Sequence, residues 1–253
     1  MRTEQQPPPP MDGAFNQLIE LLVNPEIKNR QANGTLPKEF QLSKAQILFY
    51  PDGTKPKIRL NDEVKALVEF KLKKGISKKR GEFIYENEID WPKSVKLTED
   101  DNPDCGHVLL FKIGSNWFIG FDLRYNKGFS KRNIETAEQF YEAAQFSLEK
   151  NNLRAFIDNL FSAVELTAKA ELLLLPDPKF KKAKKHKAIE TRYNWYTKVG
   201  NAKPKYRDAL NKLSKLRYPA RYLNGKLSIS SDEARKLLTA VKSMIDDAKS
   251  YVR

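Results

Sequence analysis

The sequence predicts an α+β protein: a small, mainly antiparallel β domain followed by a bundle of about five α-helices. Three observations predict it. Between residues 40 and 127, short apolar runs and the alternating segment 64–72 are punctuated by turn signals. From residue 133 onward apolar side chains recur at three and four, the period of an amphipathic helix. Charge is segregated the same way: residues 1–127 hold 20 Lys+Arg and 18 Asp+Glu, net +2, whereas residues 128–253 hold 26 and 14, net +12.

Residues 1–10 end in four prolines and read as a polar, polyproline-type tail. Phe15, Leu18, Ile19 and Leu22 follow at helical spacing, a short helix that Pro25 is expected to stop. With the turn signal Asn33-Gly34, residues 1–39 are expected to be a flexible tail and a short helix. The β domain then spans residues 40–127. Ile47-Leu48-Phe49-Tyr50 runs into Pro51-Asp52-Gly53, where proline presets φ and glycine takes the strained turn position. Val64, Ala66, Val68, Phe70 and Leu72 alternate with Lys65, Leu67, Glu69 and Lys71, a half-buried strand. Phe83-Ile84-Tyr85 is a short apolar segment. Residues 107–113 and 117–123 flank Gly114-Ser115-Asn116 and predict a hairpin.

Residues 128–253 are expected to form the bundle. Asn133 is a candidate cap for a first helix carrying Ala137, Phe140, Tyr141, Ala144 and Leu148 on one face. After Asn151-Asn152, a second face runs Leu153, Phe156, Ile157, Leu160, Phe161, Val164, Ala168, and ends by Pro176. These two helices form an αα-hairpin. A third helix is expected over about residues 188–199, stopped by Gly200. A fourth starts at Pro204, a favoured first-turn residue, and reaches Tyr218. Pro219 lacks a backbone N–H, so the helix is expected to kink or end there. Ser230 with Glu233 is a capping box for the last helix, which runs to Val252 through Leu237, Leu238, Val241, Met244, Ile245 and Ala248.

Several chemistries are excluded. Cys105 is the only cysteine, which rules out intrachain disulfides and cysteine-based zinc sites. No apolar run approaches the ~18 residues of a membrane span, and the N-terminus has no secretory leader, so a soluble, cytoplasmic protein with no membrane contact is expected. Glu99, Asp100, Asp101 and Asp104 lack the glycine and distal glutamate of a calcium loop and read as an acidic surface loop. There is no phosphate-cradling glycine loop, no nucleophile elbow and no histidine pair at metal spacing. His107 and His186 are the only histidines. No metal and no cofactor is expected.

The basic excess is one local feature. Residues 179–221 carry 15 Lys+Arg against Glu190 and Asp208, net +13. Six of those lysines, with His186, fall within residues 179–187. A polyanion or phosphate ligand is the natural partner, with Lys181, Lys182, Lys184, Lys185 and Arg192 as candidate contacts. Arg217 stands out on the fourth helix. The apolar stripe runs Tyr206, Leu210, Leu213, and at 100° per residue Arg217 lies within about 20° of Leu210, on the inward face. A guanidinium there lines a cleft, holds a carboxylate such as Glu165, or snorkels at the bundle edge. Arg217, Arg221 and Tyr222 around Pro219 offer two fork-shaped cations and a phenol, the right chemistry for phosphate. Tyr193, Trp195, Tyr196 and Tyr206 sit among cations, where rings can stack on bases or simply pack in the bundle.

Residues 133–252 resemble the HEPN superfamily of small helical bundles. The resemblance rests on Ala155-Phe156-Ile157 and Ala163-Val164-Glu165-Leu166-Thr167-Ala168-Lys169-Ala170 in the second helix, and on Lys185-His186 after it. It rests also on residues 213–222, with Leu213, Arg217, Pro219, Arg221 and Tyr222, followed by a long final helix. It implies RNA or nucleotide as ligand and a homodimer whose cleft lies between two helical bundles. Many members are metal-independent endoribonucleases, among them toxin–antitoxin and phage-defence proteins, in which an arginine, usually followed by a polar residue, precedes a histidine with four to six residues between them. Arg217 matches the arginine, but Tyr218 follows it and no histidine lies beyond. Tyr222 occupies one histidine position, and a phenol with pKa near 10 is a poor base for a ribose hydroxyl. The resemblance therefore implies an RNA- or nucleotide-binding bundle with an altered, inactive or weakly active cleft. The alternatives are an active endoribonuclease using Arg217 with Tyr222 or His186, and a non-catalytic module for an antitoxin or nucleotidyltransferase-like partner.

Overall fold

In the computed structural model, which describes residues 12–97, 104–177, 185–222 and 227–252, the change of hydrophobic period is a change of architecture. The chain divides into two units, residues 1–123 and 124–253.

The first unit opens with α1 (Asp12–Leu18), a π-helical turn (Ile19–Val23) and α2 (Asn24–Ala32). Pro25 does not stop this helix. The wider turn pairs the Asn24 N–H with the Ile19 carbonyl, and the proline falls at the start of α2, where a missing donor costs little. The segment is part of the fold, since Phe15, Leu18, Ile19, Leu22 and Ile27 pack on the core that contains Val23, Ile47, Ile58 and Leu110.

That core belongs to a four-stranded antiparallel sheet of order β2-β1-β5-β6, built from β1 (Lys44–Phe49), β2 (Lys57–Leu60), β5 (Gly106–Ile113) and β6 (Asn116–Asp122). The β5–β6 pair is the expected hairpin, with Gly114 at φ 60 in its turn. A second sheet pairs β3 (Ala66–Leu72) with β4 (Ile89–Leu97). β3 shows the alternating burial that its sequence predicts. Phe83, Ile84 and Tyr85 lie outside the strands and are exposed. Gly120 lets the sheets approach: a Cβ there would run into the Val95 side chain.

The second unit is the helical bundle: α3 (Lys127–Glu149), α4 (Leu153–Leu173), α5 (His186–Lys198), α6 (Pro204–Tyr222) and α7 (Ser231–Tyr251). α4 is its centre and packs on the other four helices. Phe156, Ile157, Leu160, Val164, Ala168 and Leu172 are fully buried against Tyr193, Leu210, Leu213, Val241 and Ile245.

The caps partly follow the sequence. Asn152 accepts from the Ala155 N–H at 3.4 Å, and Ser230 from the Glu233 N–H at 3.2 Å. Asn133 is not a cap. α3 starts at Lys127 behind Asn126 in the left-handed region, and the Asn133 amide donates to the Phe129 carbonyl inside the helix. Asn126 and Ser130 instead donate to the Leu173 and Ala170 carbonyls of α4, locking the hairpin.

Pro219 does not end α6, which continues to Tyr222. Arg154 Nη1 donates to the Pro219 and Ala220 carbonyls at 2.5 and 3.2 Å. These are among the last four carbonyls of the helix, which have no partner within it, so Arg154 caps the turn from α4. Among the described residues no helix is long and apolar enough to cross a membrane.

Candidate functional site

Arg154, Asp158, Phe161 and Glu165 recur at three and four along α4 and so share one stripe of the helix. The stripe meets the first residue of α5 and the last two turns of α6. Arg217 Nε donates to Asp158 Oδ1 at 3.2 Å, and Arg221 Nη1 lies 3.8 Å from the same oxygen. The Arg217 guanidinium sits over the Phe161 ring, 4.6 Å from its centre. The His186 ring meets Phe161 edge-on at 5.7 Å, and its Nδ1 is hydrogen-bonded to the Glu165 carboxylate. One buried ring thus carries the arginine and the histidine together.

Two guanidinium groups share one carboxylate, so the cluster keeps a positive charge after its own pairing. The Arg217 side chain is 19% exposed and that of Asp158 35%, so the pair is neither dry nor fully solvated. The Arg217 Nη groups donate no hydrogen bond to a described residue. A further polyvalent anion could therefore join the guanidinium edge without evicting Asp158. Arg217 is held by Asp158 and not by Glu165, which is committed to His186. Asp158 went unremarked in the sequence, although an acid between Ile157 and Leu160 on a buried helix is a signal that a partner is near.

Other expected site residues fall elsewhere. Tyr222 stands about 140° round α6 from Arg217, and its ring meets that of Tyr218 at a tilt of 46°. Arg192 packs over Trp195 at 4.1 Å and faces Asp177 at 3.7 Å, apart from the Phe161 stripe. Lys185 precedes α5 at its N-cap position and is exposed. Lys181, Lys182 and Lys184 lie outside the described residues. Of the four aromatics read as stacking candidates, Tyr193 and Tyr206 are buried in the bundle and Tyr196 packs against it, while Trp195 remains 44% exposed.

A second polar cluster lies inside the bundle. Glu171 is 3% exposed and accepts from the Tyr193 hydroxyl at 2.8 Å. Burial lifts its carboxyl to about 7, opposed by the Tyr193 hydrogen bond and aided by the nearby Asp247 charge. Tyr193 is pushed upward in turn by burial and by Glu171. Asp247 behaves oppositely, held below its usual value by hydrogen bonds from Lys203 and Tyr206. Among the described residues no group of three or more His, Cys, Asp and Glu side chains is placed to hold a metal ion.

The second unit is thus a basic five-helix bundle in which Arg217 and Arg221 of α6 meet Asp158 on the central helix. Residues 130–251 match the family model described as HEPN domain, and the C-terminal half of this chain is a HEPN domain. The N-terminal β unit falls outside that match. A comparison with curated proteins finds no match.

Proposed function

We propose that this HEPN domain binds RNA, or a nucleotide, through its phosphates at the Asp158–Arg217–Arg221 cluster, and that its cleavage machinery departs from the family pattern. The observation that carries the reading is the sharing of one carboxylate by Arg217 and Arg221, which leaves an uncompensated guanidinium beside a half-open face. The +13 charge of residues 179–221 raises the local concentration of a polyanion around it. The domain acts as a homodimer, with the same face completed by a second copy. Binding of labelled RNA by the wild type and by Arg217→Ala tests this: affinity falls in the variant while its helical signal is kept. Equal affinities would place the contact elsewhere.

A second reading is favoured by His186. Its Nδ1 is held by Glu165, an arrangement that leaves Nε2 to exchange a proton, and the ring shares Phe161 with Arg217. An imidazole supplied by α5 would then replace the one missing after Arg217. Incubating RNA with the wild type and His186→Ala in EDTA separates the two readings. Cleavage that disappears in the variant supports a metal-independent ribonuclease, and intact RNA with both supports binding alone.

A further inference from the structure

The near-neutral charge of residues 1–127 hides one strongly basic segment. Residues 71–81 hold Lys71, Lys73, Lys74, Lys78, Lys79 and Arg80 and no acid, and they run from the end of β3 into the loop that leads to β4. Two tight turns shape that loop. The Ile76 N–H donates to the Lys73 carbonyl at 3.1 Å, and the Glu82 N–H to the Lys79 carbonyl at 3.1 Å. Gly75 and Gly81 take the third position of each turn, at φ 89 and 96, where a side chain would be strained. Lys74 and Arg80 therefore occupy equivalent corners, and both are exposed.

The carboxylates of the loop are turned onto its own backbone. Glu82 accepts from the Lys79 N–H at 3.0 Å, and Glu88 from the Tyr85 N–H at 2.8 Å and from Lys78 at 2.6 Å. Lys71 faces Asp90 at 3.3 Å. Lys73, Lys74, Lys79 and Arg80 are exposed and make no ion pair with a described residue. Two aromatic rings follow them, Phe83 at 81% exposure and Tyr85 at 62%, with Lys78 Nζ 5.3 Å from the centre of the Tyr85 ring.

We propose that the β3–β4 loop is a second RNA contact, in which Lys73, Lys74, Lys79 and Arg80 neutralise phosphates and Phe83 stacks on a base. RNA as the ligand rests on the reading of the helical unit above, and the loop adds a contact that the β unit makes with its own residues. Cations alone suit any polyanion. The exposed ring beside them narrows the class, because a nucleic acid offers phosphates and flat rings side by side. A protein partner fits less well, since lysine is depleted at the centre of protein–protein interfaces. A membrane surface also fits less well: Glu82 and Glu86 flank Phe83-Ile84-Tyr85, and inserting that triplet would carry both carboxylates against anionic headgroups.

The test uses the full chain, a labelled RNA strand of mixed sequence, and vesicles of phosphatidylcholine with phosphatidylserine. The combined variant Lys73→Ala, Lys74→Ala, Lys79→Ala, Arg80→Ala should bind RNA more weakly. Its slope of log affinity against log salt should be shallower by up to about 2.8, at about 0.7 for each phosphate released. Phe83→Ala should lower affinity about tenfold, the scale of one lost base stack, at an unchanged slope, and Phe83→Tyr should retain it. All five side chains are exposed, so the variants should keep the wild-type circular dichroism. Wild-type affinity in both loop variants, while Arg217→Ala weakens binding, overturns the loop contact and leaves the helical site standing. Weaker binding in the loop variants, with Arg217→Ala at wild-type affinity, supports the loop and removes the helical site. If no variant differs from the wild type, both contacts fail. Vesicle binding that Phe83→Ala abolishes, with RNA affinity untouched, would make the loop a membrane contact and overturn the proposal.

Discussion

Replacing Glu171 by glutamine should change how the stability of the helical unit depends on pH. Glu171 is buried in α4, where the Tyr193 hydroxyl donates to it at 2.8 Å. Burial raises its carboxyl from the ordinary 4.5 to about 7. A carboxyl that holds its proton more tightly when folded contributes its full stability below the unfolded value. That contribution is lost as pH rises through the folded value. The gap corresponds to about 3 kcal/mol between pH near 4.5 and pH near 7, with little change beyond. Glutamine keeps an acceptor for Tyr193 and never ionises. The two proteins should therefore be nearly equal in stability at pH 4.5, and the variant should be the more stable by up to about 3 kcal/mol at pH 8. Urea unfolding followed by far-ultraviolet circular dichroism, on both proteins at each pH, gives the difference directly. A difference that stays constant with pH, or a variant less stable at pH 8, would refute the assignment of Glu171 as a carboxyl that ionises at a cost.

Arg154→Ala removes the donor that caps the Pro219 and Ala220 carbonyls, and should cost about 1–3 kcal/mol in the same unfolding experiment. It should also weaken RNA binding, because the turn holding Arg221 loses its tether to α4. Gly120→Ala drives a Cβ into Val95 and should destabilise the β unit by about 1–3 kcal/mol, read by thermal unfolding of the full chain, with little effect on RNA affinity. A fragment of residues 124–253 should fold cooperatively by itself, whereas one starting at residue 128 should be less stable. The later cut removes the Tyr125 N–H and the Asn126 amide, which donate to the Leu174 and Leu173 carbonyls. Circular dichroism melts of the two fragments check this.

The bundle was legible because each of its helices carries its own apolar period, and the stripe of α4 names its core residues before any packing is known. The hairpin of β5 and β6 was legible for the same local reason. What escaped depends on contacts from afar. β4 contains Pro92 and few consecutive apolar residues, and exists through its pairing with β3. α6 runs through Pro219 to a last turn whose carbonyls Arg154, 65 residues away, satisfies. The inward direction of Arg217 could be read from a helical angle, but its partner could not. Glu165 and Asp158 stand on the same stripe, and the position of His186 decides which carboxylate is left for the arginine. The exposed tyrosine pair was hidden by the break expected at Pro219, since Tyr218 and Tyr222 meet only if the helix continues.

The most direct test of the phosphate site is the salt dependence of RNA affinity. Each phosphate neutralised on a single strand contributes about −0.7 to the slope of log affinity against log salt. The double variant Arg217→Ala, Arg221→Ala should bind more weakly than the wild type and show a slope shallower by about 1.4, with its helical circular dichroism retained. A slope that keeps its wild-type value in a folded double variant would contradict the account, because the two guanidinium groups would then release no counterions and touch no phosphate.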